Sequence, residues 1–218
     1  MIDFHTHSLI SDGELLPSEL VHRARVRGYS AMAITDHMDE SNIEAALGQL
    51  VKVCKQLSRA THFHCVPGAE LTHIPPSEIA RMVKKARSSG AAVVVGHGET
   101  LTEPVAPGTN EAFIRAKVDI LAHPGLVTAG EALLAVKNSV HFEITCRAGH
   151  GISNGHVAAV SKRHGVKMLI NSDAHSPGDL VSDETALKVA LGAGLDKTDF
   201  RKIEENAQRL LKKVSGLF

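Results

Sequence analysis

The sequence predicts an α/β fold built on a parallel β-sheet. Seven short apolar runs alternate along the 218 residues with stretches of helical periodicity, an alternation typical of strands joined by crossover helices. Runs such as Val118–Ala122 and Val166–Ile170 lack regular polar alternation, as expected of strands covered on both faces. A chain of this length can bury a full core, so we expect one domain over residues 1–218.

Each element has local support. Pro17 and Pro76 suit a first helical turn, and Gly28, Gly90 and Gly165 are typical of helix ends. The predicted strands are Met1–Phe4, Ala31–Ile34, Phe63–Val66, Ala91–Val95, Val118–Ala122, Val140–Ile144 and Val166–Ile170. The predicted helices cover residues 17–27, 42–58, 77–89, 110–116, 129–137, 154–164, 183–192 and 199–213.

Composition limits the function. Twenty-four basic and 24 acidic residues give zero net charge, which disfavours nucleic acid as a partner, because nucleic-acid binders need excess Lys and Arg. Six Phe, one Tyr and no Trp offer few stacking platforms for single strands. Three cysteines without CxxC spacing, no signal peptide and no membrane-spanning apolar run lead us to expect a cytoplasmic protein.

The unusual feature is histidine, with 14 residues, and metal-binding side chains follow all seven predicted strands. In a closed barrel of parallel strands, the carboxyl ends of the strands form one face, where active sites lie. The sequence therefore predicts that distant clusters converge on one pocket. These clusters are His5-Thr6-His7, Asp36-His37, Gly68-Ala69-Glu70, Gly96-His97-Gly98-Glu99, Ala122-His123-Pro124-Gly125, Glu143-Ile144-Thr145-Cys146 and Asn171-Ser172-Asp173-Ala174-His175.

Spacing within the clusters favours metal binding. Residues two apart in an extended chain share a face, so His5 and His7 can hold one ion together, as can Asp173 and His175. Six histidines, a glutamate and two or three aspartates exceed the needs of one tetrahedral ion. We therefore expect two or three divalent ions. A mixed imidazole and carboxylate set favours zinc, manganese or iron.

The ordered motifs resemble the PHP (polymerase and histidinol phosphatase) family. The resemblance runs from residue 3 to residue 175 and covers most of the chain. It implies a distorted seven-stranded βα barrel, similar to a TIM barrel, with a trinuclear metal site. The motifs that carry it are DFHTHS, SDG, ITDH, GAE, a lone histidine after the fourth strand, AHPG and NSDAH.

The resemblance also implies a ligand set. Many family members have histidine where this chain has Asp12, and Ser11-Asp12-Gly13 also suits a plain turn. His37 is either a ligand or a donor that orients one, and we expect Asp36 to orient a ligand histidine. The implied sets are His5, His7, Glu70 and Asp173 for one metal, Glu70, His97 and His123 for a second, and Asp12, His37 and His175 for a third.

Such a site suits hydrolysis of a phosphate ester. Ions about 3.5–4 Å apart can share a hydroxide that attacks phosphorus in line. Arg147 can bind phosphate bidentately, although it also suits a structural ion pair. His150, or His175 when not metal-bound, could protonate the leaving group. Cys146 is either an extra ligand or a small residue near the pocket.

Three functions compete at this point. The leading hypothesis is a phosphomonoesterase similar to histidinol phosphatase, acting on a small phosphorylated substrate. The second is a 3′ exonuclease or nucleic-acid phosphodiesterase, which the neutral charge and the scarce aromatics disfavour. The third is a non-catalytic module that metals only stabilise. The sequence does not identify the substrate or the oligomeric state.

Overall fold

Seven parallel strand positions form a nearly closed barrel surrounded by eight α-helices in the computed structural model, which describes residues 1–217. The strands are β1 (Ile2–Asp3), β2 (Ala31–Ile34), β3 (His37–Met38), β4 (His64–Leu71), β5 (Val93–His97), β6 (Ile120–Ala122), β7 (His141–Thr145) and β8 (Met168–Asn171). Both β2 and β3 pair with β4, so they occupy one position of the barrel.

The helices lie between the strands and after the last one. They are α1 (Pro17–Val26), α2 (Ile43–Thr61), α3 (Ile79–Ser88), α4 (Thr109–Ala116), α5 (Ala129–Asn138), α6 (Asn154–His164), α7 (Asp183–Gly192) and α8 (Lys197–Val214). The eight predicted helices are confirmed, with ends that differ by at most three residues. None of the helices described has both the length and the apolar character needed to cross a membrane.

The barrel closes between its first and last strands. The sheet order is β1-β2-β4-β5-β6-β7-β8, with parallel pairing throughout. The Asp173 N–H donates to the His5 carbonyl at 2.9 Å, and the Phe4 N–H donates to Oδ1 of Asn171 at 2.9 Å. Backbone and side-chain hydrogen bonds together therefore join β1 to the chain around β8.

The third predicted strand is longer than expected. We expect it to stop at Val66, but β4 continues through Pro67 and Gly68 to Leu71. Pairing with β2 ends at Pro67, and pairing with β5 begins at Gly68. A proline inside a central strand normally argues against one, and here it lies where pairing along one edge of β4, with β2, gives way to pairing along the other edge, with β5.

Alternating strand residues supply two cores. A large cluster lies between the sheet and the surrounding helices. A smaller one includes Phe4 just after β1, Val95 and Leu169 from the strands, and Leu210 and Val214 of α8. This second cluster fills the barrel interior, and α8 covers it. The opposite end of the barrel, where the strands have their carboxyl ends, is left for the polar clusters.

Candidate metal centre

The structure brings together all nine residues of the predicted ligand set at the carboxyl end of the barrel. His5 and His7 follow β1, His37 begins β3, Glu70 lies in β4, and His97 ends β5. Their ligand atoms form four groups within which all atoms lie within 4.8 Å of one another. The groups are His7, Asp12, His37 and His175; His5, His123 and Asp173; His5, His7 and Glu70; and Glu70, His97 and His123.

The centre of the site is fully buried. Nε2 of His5 lies 3.3 Å from Oε1 of Glu70, and Nε2 of His7 lies 3.2 Å from Oδ1 of Asp173. The two carboxylates thus contact both histidines of the His-x-His pair. This is the grouping that the resemblance assigns to one metal.

Glu70 connects this centre to the second group. Its Oε1 lies 3.6 Å from Nε2 of His123, and the rings of His97 and His123 meet edge to face at 4.6 Å. A single carboxylate therefore borders two groups of histidines. Two ions that share a carboxylate need this arrangement.

The third group lies nearer to solvent. Oδ1 of Asp12, whose side chain is 57% exposed, lies 3.4 Å from Nε2 of His175 and 3.7 Å from Nε2 of His37. The ring of His7 stacks on that of His175 at 4.0 Å. Asp12 thus approaches the histidines despite its position in a turn, and His7 joins the group that we expect to hold the third metal.

Unpartnered polar atoms test whether these residues fit metal ions. Eight buried atoms of the site lack a hydrogen-bond partner among the described residues, and three of them are carboxylate oxygens. Leaving a buried polar group unpaired costs about 1–3 kcal/mol, and bound cations would remove that cost. The residues therefore fit divalent ions. The atoms are Nε2 of His5, Nδ1 and Nε2 of His7, both carboxylate oxygens of Glu70, Nδ1 of His97, Nδ1 of His123 and Oδ1 of Asp173.

The electrostatics agree with this fit. Burial alone would raise the pKa of Glu70, but the neighbouring His5 and His37 hold that pKa well below its usual range. Burial lowers the pKa of His7 to about 3. At neutral pH the Glu70 carboxylate is therefore charged, and the His7 imidazole is neutral. These are the protonation states that metal ligands require. Against the effect of burial, the carboxylates of Glu143 and Glu70 raise the pKa of His5 well above its usual value, and Glu70 raises that of His37 to about 8, so both rings must release a proton when an ion binds.

Comparison with known proteins decides the family. The family model described as PHP domain matches residues 3–213. The chain belongs to the PHP family. This confirms the resemblance based on the ordered motifs, and PHP proteins include both phosphoesterases and nucleases that use divalent metals.

The similar proteins carry different names. An uncharacterized protein of Methanocaldococcus jannaschii is 46% identical over 215 residues, which cover 97% of this chain and 99% of that protein. Ribonuclease P protein component 3 of Methanosarcina barkeri is 28% identical over 212 residues, covering 90% of this chain and 82% of the relative. Shorter stretches match a 5′-3′ exoribonuclease and a probable phosphatase.

A solved structure extends the comparison to the fold. A chain in the structure of archaeal ribonuclease P with mature tRNA superposes with a TM-score of 0.74 at 16% identity, covering 100% of this chain and 93% of that chain. At this identity the likeness concerns the fold alone. The ribonuclease names nevertheless weaken our expectation, drawn from net charge, that nucleic acid is not a partner.

Glu143, which belongs to one of the seven predicted clusters but to none of the implied ligand sets, supports the centre of this PHP site. Its Oε1 lies 2.8 Å from Nδ1 of His5, and its Oε2 accepts the His123 N–H at 3.0 Å. Asn171 donates to the same carboxylate at 2.8 Å. A charged residue inside the apolar run of β7 is the sequence signal that points to such a role.

Asp36 has a different role from the one expected. Its carboxylate accepts from the N–H and the hydroxyl of Ser8, each at 2.7 Å, and from the Ser11 hydroxyl at 2.7 Å. It therefore orders the loop that carries Asp12, and the prediction that it orients a ligand histidine is wrong. Short hydroxyl side chains in the loop, rather than an imidazole, lie within its reach.

Arg147 and His150 lie at the edge of the site. Nη1 of Arg147 donates to the Asp173 carbonyl at 3.0 Å and lies 2.5 Å from Nδ1 of His175. The ring of His150 stacks on that of His123 at 4.4 Å. Burial lowers the pKa of His150 to about 4, which weighs against its predicted role as an acid. The predicted contacts of both residues with phosphate stay predictions.

Cys146 belongs to none of the four ligand groups found among the described residues. Burial raises the pKa of its thiol well above the usual range, so the thiolate that binds metals is disfavoured. We therefore favour the second of the two interpretations, a small residue beside the pocket.

Two residues of the site have a left-handed backbone. His123 has φ 28° and Asp173 has φ 53°, a region that costs a non-glycine residue about 1–3 kcal/mol and clusters at functional sites. Hydrogen bonds from the His123 N–H to Glu143 and from the Asp173 N–H to the His5 carbonyl hold both conformations. The fold therefore maintains backbone strain where the predicted ligands lie.

Proposed function

We propose that this PHP domain, acting as one unit over residues 1–218, hydrolyses a small phosphomonoester with the help of two or three divalent ions. The observation that carries the proposal is the set of eight unpartnered buried atoms around Glu70. If these buried side chains served only to stabilise the fold, they would be expected to hydrogen-bond to one another. Here the lone pairs are left available to cations.

The chain offers three places for ions. Four residues surround the first, a second shares Glu70, and the third is nearer to solvent. When bound, the ions would activate water and neutralise phosphoryl oxygens, and zinc, manganese and iron suit the donor set. The proposed ligands are His5, His7, Glu70 and Asp173; Glu70, His97 and His123; and Asp12, His37 and His175.

The protein's own residues position the substrate in this proposal. The Arg147 side chain is 31% exposed, so guanidinium N–H groups not used by Asp173 and His175 can donate to a phosphate oxygen. His175, also at the solvent edge, is our candidate for delivering a proton to the leaving group when no metal occupies its Nε2. The buried carboxylates hold the histidines in place.

The charged side chains at the solvent-facing edge of the site favour a small substrate. Among residues 1–217, the cation other than histidine that forms ion pairs with the site is Arg147. The partly exposed carboxylates of Asp12 and Glu103 also lie there. A long nucleic acid needs several cations for its repeated phosphates, whereas one phosphate can bind at the metals and Arg147.

A second candidate is hydrolysis of nucleic acid, and the names of the relatives support it. The ribonuclease P component aligns over 90% of this chain. The exposed end of a nucleic-acid strand carries one terminal phosphate, which could bind at the metals and Arg147 as a small monoester would. In the third candidate, a non-catalytic module, the ions would stabilise the fold and no reaction would be catalysed.

One experiment separates the three candidates. Metal-loaded protein is assayed on p-nitrophenyl phosphate and a panel of phosphomonoesters, and in parallel on end-labelled RNA and single-stranded DNA. His5→Ala, which removes a central ligand, is compared with His22→Ala, which removes an exposed histidine of α1. We expect metal-dependent phosphate release that His5→Ala abolishes and His22→Ala retains.

The other outcomes are equally informative. Faster turnover of labelled RNA or DNA than of every monoester would replace the phosphomonoesterase by the nuclease. Full metal loading without turnover of any substrate would favour the non-catalytic module. Retained turnover after complete demetallation would contradict the proposal in all its metal-dependent forms.

A further inference from the structure

A carboxylate outside the predicted ligand set contacts the site. Glu103 lies in the β5–α4 loop (residues 98–108), a segment without a motif. Its Oε2 lies 3.0 Å from Nε2 of His97 and 3.8 Å from Nε2 of His73. Its Oε1 lies 3.4 Å from Nε2 of His150. Three histidines from three separate parts of the chain thus surround one partly exposed side chain.

The loop that carries Glu103 is held firmly. The hydroxyls of Thr100 and Thr102 lie 2.7 and 3.1 Å from Nδ1 of His150. At the base of the loop, Glu99 and Asn110 exchange two hydrogen bonds of 2.9 Å. These contacts fix the backbone on both sides of residue 103. The approach of Glu103 to His97 is therefore a property of the packed loop.

His97 belongs to the group with an incomplete set of protein ligands. Glu70, His97 and His123 supply three ligand atoms, and a catalytic zinc ion with three protein ligands keeps a further position for an exchangeable group. Ligands bound at about 2.0–2.2 Å in a tetrahedral shell lie roughly 3.4 Å apart. Oε2 of Glu103, which lies 3.0 Å from Nε2 of His97, is therefore near enough to reach such a position by a rotation of its side chain.

We propose that Glu103 is an exchangeable carboxylate ligand for the ion held by Glu70, His97 and His123, and that a phosphate group displaces it. The inference rests on the proposed metal loading but not on turnover of any particular substrate. Glu103 now lies outside the three-residue group, so ligation requires its side chain to rotate inward. Its partial exposure allows that rotation without disturbing the core, and His73 and His150 hold the carboxylate when it is displaced.

Metal affinity tests the proposal independently of activity. Glu103→Gln removes the charge at constant size, and Glu103→Asp keeps the charge but shortens the reach. Glu111→Gln, which removes an exposed carboxylate paired with Arg115 on α4, is the matched control. Affinity for Zn²⁺ and Mn²⁺ is measured by chelator competition, and affinity of the loaded protein for inorganic phosphate by calorimetry.

We expect both Glu103 variants to hold one of the ions roughly tenfold or more weakly than the wild type, by analogy with other residues that support metal sites. We also expect them to bind phosphate several-fold more tightly, because neither variant has a carboxylate that reaches the ion and competes. The control should match the wild type in both measurements.

Three results would overturn the proposal. Wild-type metal affinity in both variants would make Glu103 an ion-pair partner of the histidines alone. Weaker metal binding with unchanged phosphate affinity would exclude displacement. Equal effects in Glu111→Gln would show that loss of any carboxylate charge, and not the position of Glu103, changes the two affinities. If the wild type hydrolyses no phosphoester, the proposed function fails while these affinities still decide the role of Glu103.

Discussion

Oε1 of Glu143 lies 2.8 Å from Nδ1 of His5, on the opposite side of the ring from the predicted metal ligand Nε2. Both residues are completely buried. This contact fixes the ring orientation and the tautomer in which Nε2 is free to bind an ion.

Replacing this carboxylate tests that role. Glu143→Gln keeps the size of the side chain but removes its charge, and we expect metal affinity to fall about 10–100-fold. Chelator competition measures the change, with circular dichroism to verify the fold. Exposed Glu111→Gln on α4 serves as the control, and wild-type affinity in Glu143→Gln would contradict the role.

Metal removal should destabilise the protein. A ligand that binds only the folded state at 100 times its Kd adds about 2.7 kcal/mol to the free energy of unfolding. We expect EDTA to lower the Tm of the wild type and of His22→Ala, whereas His5→Ala should have a low Tm with or without EDTA. Equal shifts in all three proteins would place the responsible ion elsewhere.

Gly68 allows close contact between neighbouring strands. A Cβ atom there would lie 2.6 Å from Cγ2 of Thr35 and 2.9 Å from the Val93 carbonyl oxygen. We expect Gly68→Ala to lower the free energy of unfolding by about 1–3 kcal/mol. Gly48→Ala is the control, since nothing lies within 4 Å of its added Cβ and alanine in a helix adds about 0.5–1 kcal/mol. Urea titrations measure both.

His141 should make stability depend on pH. Burial lowers the pKa of this residue, which begins β7 and lies away from the predicted ligands. The usual pKa of histidine is about 6.5. Just below that pH, the His141 imidazole binds a proton in the unfolded chain but stays neutral in the folded protein. The wild type should therefore lose more stability from pH 7.5 to 5.5 than His141→Gln does. Urea titrations at both pH values test this, and an equal loss would contradict it.

The parts of the site that lie next to strands were predictable from the sequence. His5, His97 and Asp173 follow apolar runs, and the barrel rule converts that local pattern into proximity in space. The family model bears out the resemblance, and all nine predicted ligands lie together in the structure.

The parts that depend on loop geometry were not predictable. Glu103 lies in an irregular segment, where no periodicity indicates the direction of a side chain. The extension of β4 past Val66 depends on pairing with β3 and β5 beyond Pro67, which local propensity does not report. The contacts of Asp36 with Ser8 and Ser11 likewise arise only once the loop has folded.

The closure between β1 and β8 has a consequence for biosynthesis. His5 and His7 emerge from the ribosome early, but Asp173 and His175 follow only after seven strand positions have been translated. Until then the growing sheet has two open edges, and unpaired strand edges promote aggregation. The predicted ligands therefore come together only when the last free edge is closed, so a full complement of metal would report that translation has passed β8 and that the barrel has closed.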